Sequence, residues 1–131
     1  MSGRLSAYEP HARALLRIVA GLLFVHSALV LLFNVPPSIY PEPPPETATT
    51  LFIGGILELV GGVLLILGLF TRPAAFVMSG MMAVAYFLYH APESLWPSNN
   101  NGGAAILFSF IFLYLVFAGP GAWAPDNRRV D

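Results

Sequence analysis

The chain of 131 residues has no cysteine and no lysine, and only 10% of its residues are charged. The first absence excludes disulfide exchange, thiolate metal sites and iron–sulfur ligation by this chain. The second leaves arginine as the one strong cation and gives no basic patch, so nucleic acid is not an expected partner. The third leaves too little polar surface for a soluble domain of this length, because 56% of the residues are hydrophobic. A P-loop, a dinucleotide fingerprint and a nucleophile elbow are also missing. The paired glycines Gly54-Gly55 and Gly61-Gly62 sit inside an apolar run and read as helix packing, not as phosphate loops.

What is present is four long apolar stretches: Ala14 to Phe33, Leu51 to Phe70, Pro73 to Tyr89, and Gly102 to Ala118. Each is about as long as an α-helix must be to cross roughly 30 Å of hydrocarbon. A transmembrane barrel would show shorter segments of alternating polarity, and these runs are continuous. The expected fold is all-α: a four-transmembrane-helix bundle, one domain over residues 1–131. The first stretch is too long for the core of a signal peptide and no small-residue cleavage site follows it, so it reads as a retained helix.

The arginines orient the bundle. Arg4, Arg13 and Arg17 lie at the start of the first helix, Arg72 in the second turn, and Arg128 and Arg129 after the fourth helix. The other two loops carry only Glu42, Glu46 and Glu93. With both termini cytoplasmic, every arginine lies inside, as the positive-inside rule requires. The loop from Val35 to Glu46 holds six prolines. It reads as a stiff polyproline strap, with a partner-docking surface as the alternative. Thr47, Thr49 and Thr50 offer N-caps for the second helix, and Pro73 suits the first position of the third. Trp96 and Trp123 suit the two membrane interfaces.

The residue that asks for a function is Glu58. A charge at membrane depth costs about 2.5 to 3.5 kcal/mol or more, so it calls for a partner or a task. It shares a helix face with Gly54, Gly55, Gly61, Gly62 and Gly68, which turns it toward the bundle. His26 on the first helix and Ser109 on the fourth fall at a similar depth, and Tyr86 and His90 lie near the outer end of the third. A carboxyl facing an imidazole can share a proton close to neutral pH, which suits proton exchange at a quinone carbonyl. Glu58 and His26 are therefore the expected catalytic pair, with Tyr86, His90 and Ser109 as ligand-binding groups. The bland alternative is a Glu58–His26 hydrogen bond that only fixes helix register. Haem is disfavoured because His26 lies well inside and His90 at the rim. Zinc is disfavoured because no dense ligand motif is present.

The run from Glu58 to Ala75, ELVGGVLLILGLFTRPAA, resembles the core signature of the DoxX family of small four-helix membrane proteins. Gly119-Pro120-Gly121 with Asp126 resembles that family's C-terminal ending, Arg17, Phe24 and His26 its first-helix pattern, and His90 a histidine often found at the end of the third helix. The chain departs from the pattern at three places. His26-Ser27-Ala28-Leu29-Val30 stands where His-Gly-x-x-Lys is common, Ala104 where a glutamate follows Gly-Gly, and Ala124-Pro125 where Ser-Leu precedes the aspartate. The resemblance implies a multi-pass protein of a prokaryotic plasma membrane, tied to redox work with quinone and a soluble or membrane-bound redox partner. Homo-oligomerisation is left open. Two other functions stay open on the residues: a non-catalytic scaffold that recruits a partner through the proline loop or termini, and a proton-coupled small-molecule transporter centred on Glu58.

Overall fold

A computed structural model describes residues 2–128. A short helix α1 (Ser2–Ser6) precedes α2 (Glu9–Phe33), α3 (Ala48–Leu67), α4 (Thr71–Ala85), the one-turn α5 (Pro97–Asn100) and α6 (Gly103–Ala118), and there is no strand among the described residues. A 3₁₀ turn, Pro45–Thr47, leads into α3, a π-helical turn, Tyr86–His90, extends α4, and a 3₁₀ turn, Pro125–Arg128, ends the described chain. Three helical segments are long and apolar enough to cross a membrane: Glu9–Phe33, Pro45–Leu67 and Thr71–His90. The fourth, Gly103–Ala118, is apolar but shorter, at 16 residues. At 1.5 Å per residue it spans about 24 Å, somewhat less than the hydrocarbon thickness.

The helix ends differ from the sequence expectation in ways that local chemistry explains. α2 starts five residues before Ala14, because Pro10 occupies its first turn, where a missing N–H costs nothing. α3 begins at Ala48 and stops at Leu67, not Phe70, because Gly68 takes φ +75° and its N–H closes onto the Leu64 carbonyl at 2.9 Å. A side chain at Gly68 would also collide with Ala124. Pro73 is the third residue of α4 and not the first, since Thr71 opens that helix. None of the three threonines caps α3 with its side chain; Thr47 stands at the N-cap position but its hydroxyl donates to the Pro44 carbonyl at 2.7 Å.

The helices form a closed ring: α2 packs on α3, α3 on α4 and α4 on α6. Phe24 of α2 meets Phe108 and Phe112 of α6 edge-on, each with centroids 5.0 Å apart, and closes the ring. Leu65, Ala75, Met78, Phe112 and Leu115 fill its centre. α2 and α3 approach closely where Gly21 faces Gly62: a Cβ on Gly21 would lie 2.7 Å from the Gly62 carbonyl. Small residues at a membrane helix interface permit such approach. Most other large apolar side chains, including Leu22, Leu23, Val60, Val77 and Phe110, are exposed on the outside of the bundle. In water this would be untenable; facing acyl chains it is the expected outside.

Candidate functional site

Glu58 is turned into the bundle, as its glycine-rich face suggested, and is only 8% exposed. Its Oε2 is buried and has no hydrogen-bond partner in the protein. The polar side chain that interacts with its carboxyl is Ser27 of α2. His26 is not beside it. That ring is exposed and makes no hydrogen bond or ring contact with any described residue. The buried stripe of α2 runs through Arg17, Ala20, Gly21, Phe24 and Ala28. His26 stands two residues, roughly 200°, from Ala28 on the helical wheel and therefore faces outward. Depth alone does not make Glu58 and His26 a pair: the rotation of α2 turns His26 outward and brings its neighbour Ser27 to the carboxyl.

Ser109 is half-buried where α6 meets α4, and its hydroxyl is engaged. It donates to the Ser79 carbonyl at 2.9 Å, and the Ser79 hydroxyl donates to the Ser109 carbonyl at 2.8 Å. This reciprocal clasp joins α4 to α6. Tyr86 and His90 do come together, stacked with centroids 6.2 Å apart. The π-helical turn, closed by the Ala91 N–H on the Tyr86 carbonyl at 2.8 Å, carries both. Their partner is Asn100, which the sequence reading did not single out. It is 4% exposed, donates to the Ser94 carbonyl at 2.7 Å and to the Tyr86 hydroxyl at 3.2 Å, and accepts the Gly102 N–H at 2.7 Å. The Tyr86 hydroxyl donates in turn to the Leu95 carbonyl at 2.7 Å, and His90 Nδ1 meets the Asn100 carbonyl at 2.8 Å. The expected ligand groups thus separate into two sets, one tying α4 to α6 and one folding the 91–102 loop. Neither shares a hydrogen bond with Glu58. Among the described residues no group of three or more His, Cys, Asp or Glu comes together.

The opposite end of the bundle holds a second buried ionisable group. Arg17 is 0% exposed, two turns inside α2 and not at its start. Its guanidinium donates to the carbonyls of Leu65, Ile66 (3.0 Å), Pro120 (2.8 Å), Ala122 (3.1 Å) and Trp123 (3.4 Å). The first two are last-turn carbonyls of α3, where a cation is favoured by the helix dipole. Arg72 donates to the Val116 and Phe117 carbonyls at 2.7 and 2.8 Å, and Arg13 to the Ala118 carbonyl, so two more arginines close the end of α6. Asp126 accepts the N–H groups of Phe70 and Thr71, both at 2.9 Å, and caps the start of α4 with a carboxylate from 55 positions downstream. Arg17 and Asp126 also attract each other. A signal for Arg17 was available: its spacing of three and four from Ala14, Ala20 and Gly21, and of seven from Phe24, puts it on the apolar stripe.

A bundle whose outside is apolar, with three spans of membrane length and one end closed by arginines, defines an integral membrane protein. The model of the DoxX family matches residues 12–91. The chain belongs to the DoxX family. It is 41% identical over 127 residues to an uncharacterised protein of Haemophilus influenzae, covering 95% of each chain. It is 27% identical over 139 residues to an uncharacterised membrane protein of Mycobacterium tuberculosis, covering 95% of this chain and 85% of that one. No solved structure matches. The segment that resembles the family signature, Glu58 to Ala75, therefore links the two buried ionisable regions. It starts at the carboxyl and ends at the turn that Asp126 caps.

Proposed function

We propose that this protein is a membrane subunit of a redox system and offers Glu58 as a proton-exchanging group to a quinone-type carrier. One observation carries the reading: a carboxyl oxygen inside a membrane-spanning helix, buried and without a protein partner. Structural carboxylates at such depth have both oxygens satisfied, and an ionisable group at membrane depth is by default the mark of a site. The gradation from buried Glu58 through half-buried Ser27 to exposed His26 gives a short polar track from the bundle centre to the lipid face of α2. A quinone oxygen meeting this track from the bilayer would exchange protons there. Its two electrons would come from or pass to a partner, since the chain has no thiol and no dinucleotide motif. Tyr86, His90 and Ser109 have no part in this version of the site, because their hydrogen bonds tie α4 to α6 and fold the 91–102 loop, and none of them reaches Glu58.

The same reading places the protein in a prokaryotic plasma membrane with four crossings and both termini cytoplasmic. The gathering of Arg13, Arg17 and Arg72 at one end of the bundle supports that orientation. The test is photo-crosslinking with an azido-quinone in native membranes. Labelling should map to α2 and α3 near Ser27 and Glu58 and fall in Glu58→Gln; labelling unchanged by that substitution would refute the reading. A scaffold is the second reading, favoured by Ile39 and Tyr40, 91% and 77% exposed at the tip of the proline strap. It predicts that deleting residues 41–45 abolishes partner association and that Glu58→Gln leaves association intact.

A further inference from the structure

Between α3 and α4 lies a groove of about 310 Å³ that no helix of the bundle fills. Its walls are Leu57, Val60, Gly61 and Leu64 on one side and Val77 and Met78 on the other. It is open to the lipid side, where Val60 and Val77 are 54% and 48% exposed. From Leu57 to Leu64 it runs about 10 Å along the helix axis, most of one leaflet of about 15 Å. At its lower end it reaches Phe70 and Pro73. Those two residues also line an adjoining recess of about 360 Å³ that includes Arg72, Pro120 and Asn127. A third recess, of about 350 Å³, shares Arg72, Pro120 and Asn127 and adds Arg13. The apolar groove therefore adjoins, through Phe70 and Pro73, a polar recess at helix-end depth that Arg72 and Asp126 line.

The recess retains binding capacity. Arg72 is exposed and commits only Nη1 to the end of α6, which leaves Nε and Nη2 free. The acids nearby are already engaged: Glu9 pairs with Arg13 at 2.9 Å, and Asp126 holds the Phe70 and Thr71 amides and attracts Arg17. A guanidinium edge with two free donors matches two oxygens of a phosphate.

We propose that this face binds one anionic phospholipid of the arginine-side leaflet, its phosphate on Arg72 and one acyl chain in the α3–α4 groove. The sense of the groove selects this occupant. A phospholipid has its phosphate at helix-end depth and its chain toward the bilayer centre, which is the order of Arg72, Pro73, Leu64 and Leu57. A carrier with its ring at Glu58 and its tail at mid-bilayer would run the other way. Basic pockets between membrane helices on the positive side are a recurrent setting for anionic headgroups.

Native mass spectrometry of the full chain in mild detergent tests this with phosphatidylglycerol, phosphatidylcholine of the same acyl chains, and soluble glycerol phosphate. The expected result is one retained phosphatidylglycerol, bound about fivefold or more over phosphatidylcholine. Arg72→Gln should erase that preference. Val60→Trp, which fills the groove from an exposed position, should reduce retention of both lipids. Arg72→Gln also removes ties to α6, so Arg72→Lys, which keeps the charge but not the two-donor edge, serves as the control and should retain part of the preference. Equal retention of the two lipids by the unmodified chain overturns the proposal. So does unchanged phosphatidylglycerol retention in Val60→Trp. Glycerol phosphate binding as tightly as the lipid would make the recess a site for a free phosphate and overturn it too.

Discussion

Arg17 and Glu58 are both ionisable, both buried, and on helices that pack against each other, yet the fold treats them in opposite ways. Arg17 has five carbonyl acceptors drawn from α3 and the C-terminal tail. Glu58 has a buried oxygen with none. A buried charge with its donors satisfied is part of the framework, and removing it strands its partners. A buried polar atom without a partner adds nothing to the framework that would justify its cost. The contrast separates structure from function within one small bundle: the arginine end is where the fold is locked, and the carboxyl is where the fold tolerates a cost.

The largest effect should come from breaking the lock. Arg17→Gln keeps bulk and polarity but cannot reach five carbonyls, and should destabilise the protein by about 3 to 5 kcal/mol. Thermal unfolding in detergent would show this as loss of the folded species. A variant as stable as the unmodified chain would remove the distinction drawn above. Next is Asp126→Ala, which uncaps α4 from a distant carboxylate and should cost about 1 to 2 kcal/mol by the same measurement. Asp126→Asn keeps one acceptor and should recover part of that loss. Smaller and more local is Asn100→Ala at the other end. It should leave global unfolding within about 1 kcal/mol but speed amide exchange through residues 94–102, because three hydrogen bonds that fold this loop disappear.

The apolar runs made the helices and their order legible, because 17 or more continuous apolar residues leave few alternatives. Glu58's inward turn was legible too, since the glycines at 55, 61 and 62 mark the packed face of α3. Helix rotation was not. His26 was placed by depth, and depth does not say which way a side chain points; that depends on how α2 packs, which Gly21 and Phe24 decide. Ser109 was noticed without Ser79, its partner 30 positions away, because nothing local links the two. Asn100 has no mark in the sequence that sets it apart from Asn99 and Asn101, and only its hydrogen bonds to Tyr86, Ser94 and Gly102 show why it is buried. Arg17 and Asp126 were visible as family-like positions, but their joint work needs the tail to fold back across the helix ends.

The smallest expected effect on stability is also the most informative. Glu58→Gln replaces a carboxyl by an amide of nearly the same shape and removes no hydrogen bond from Oε2, since that atom makes none in the protein. An amide costs less to bury than an ionised carboxylate. Stability should therefore hold within about 0.5 kcal/mol or rise slightly, a surface-like response from a buried residue. If instead Glu58→Gln unfolds the bundle as Arg17→Gln does, the carboxyl is a framework group, the contrast between the two residues collapses, and no site need be sought there. If stability holds while quinone labelling or proton-linked turnover in membranes is lost, the cost of the carboxyl is accounted for by function. Ser27→Ala then refines the point. It should leave the fold intact and weaken labelling less than Glu58→Gln does, because it removes the relay side chain and leaves the proton-exchanging group in place.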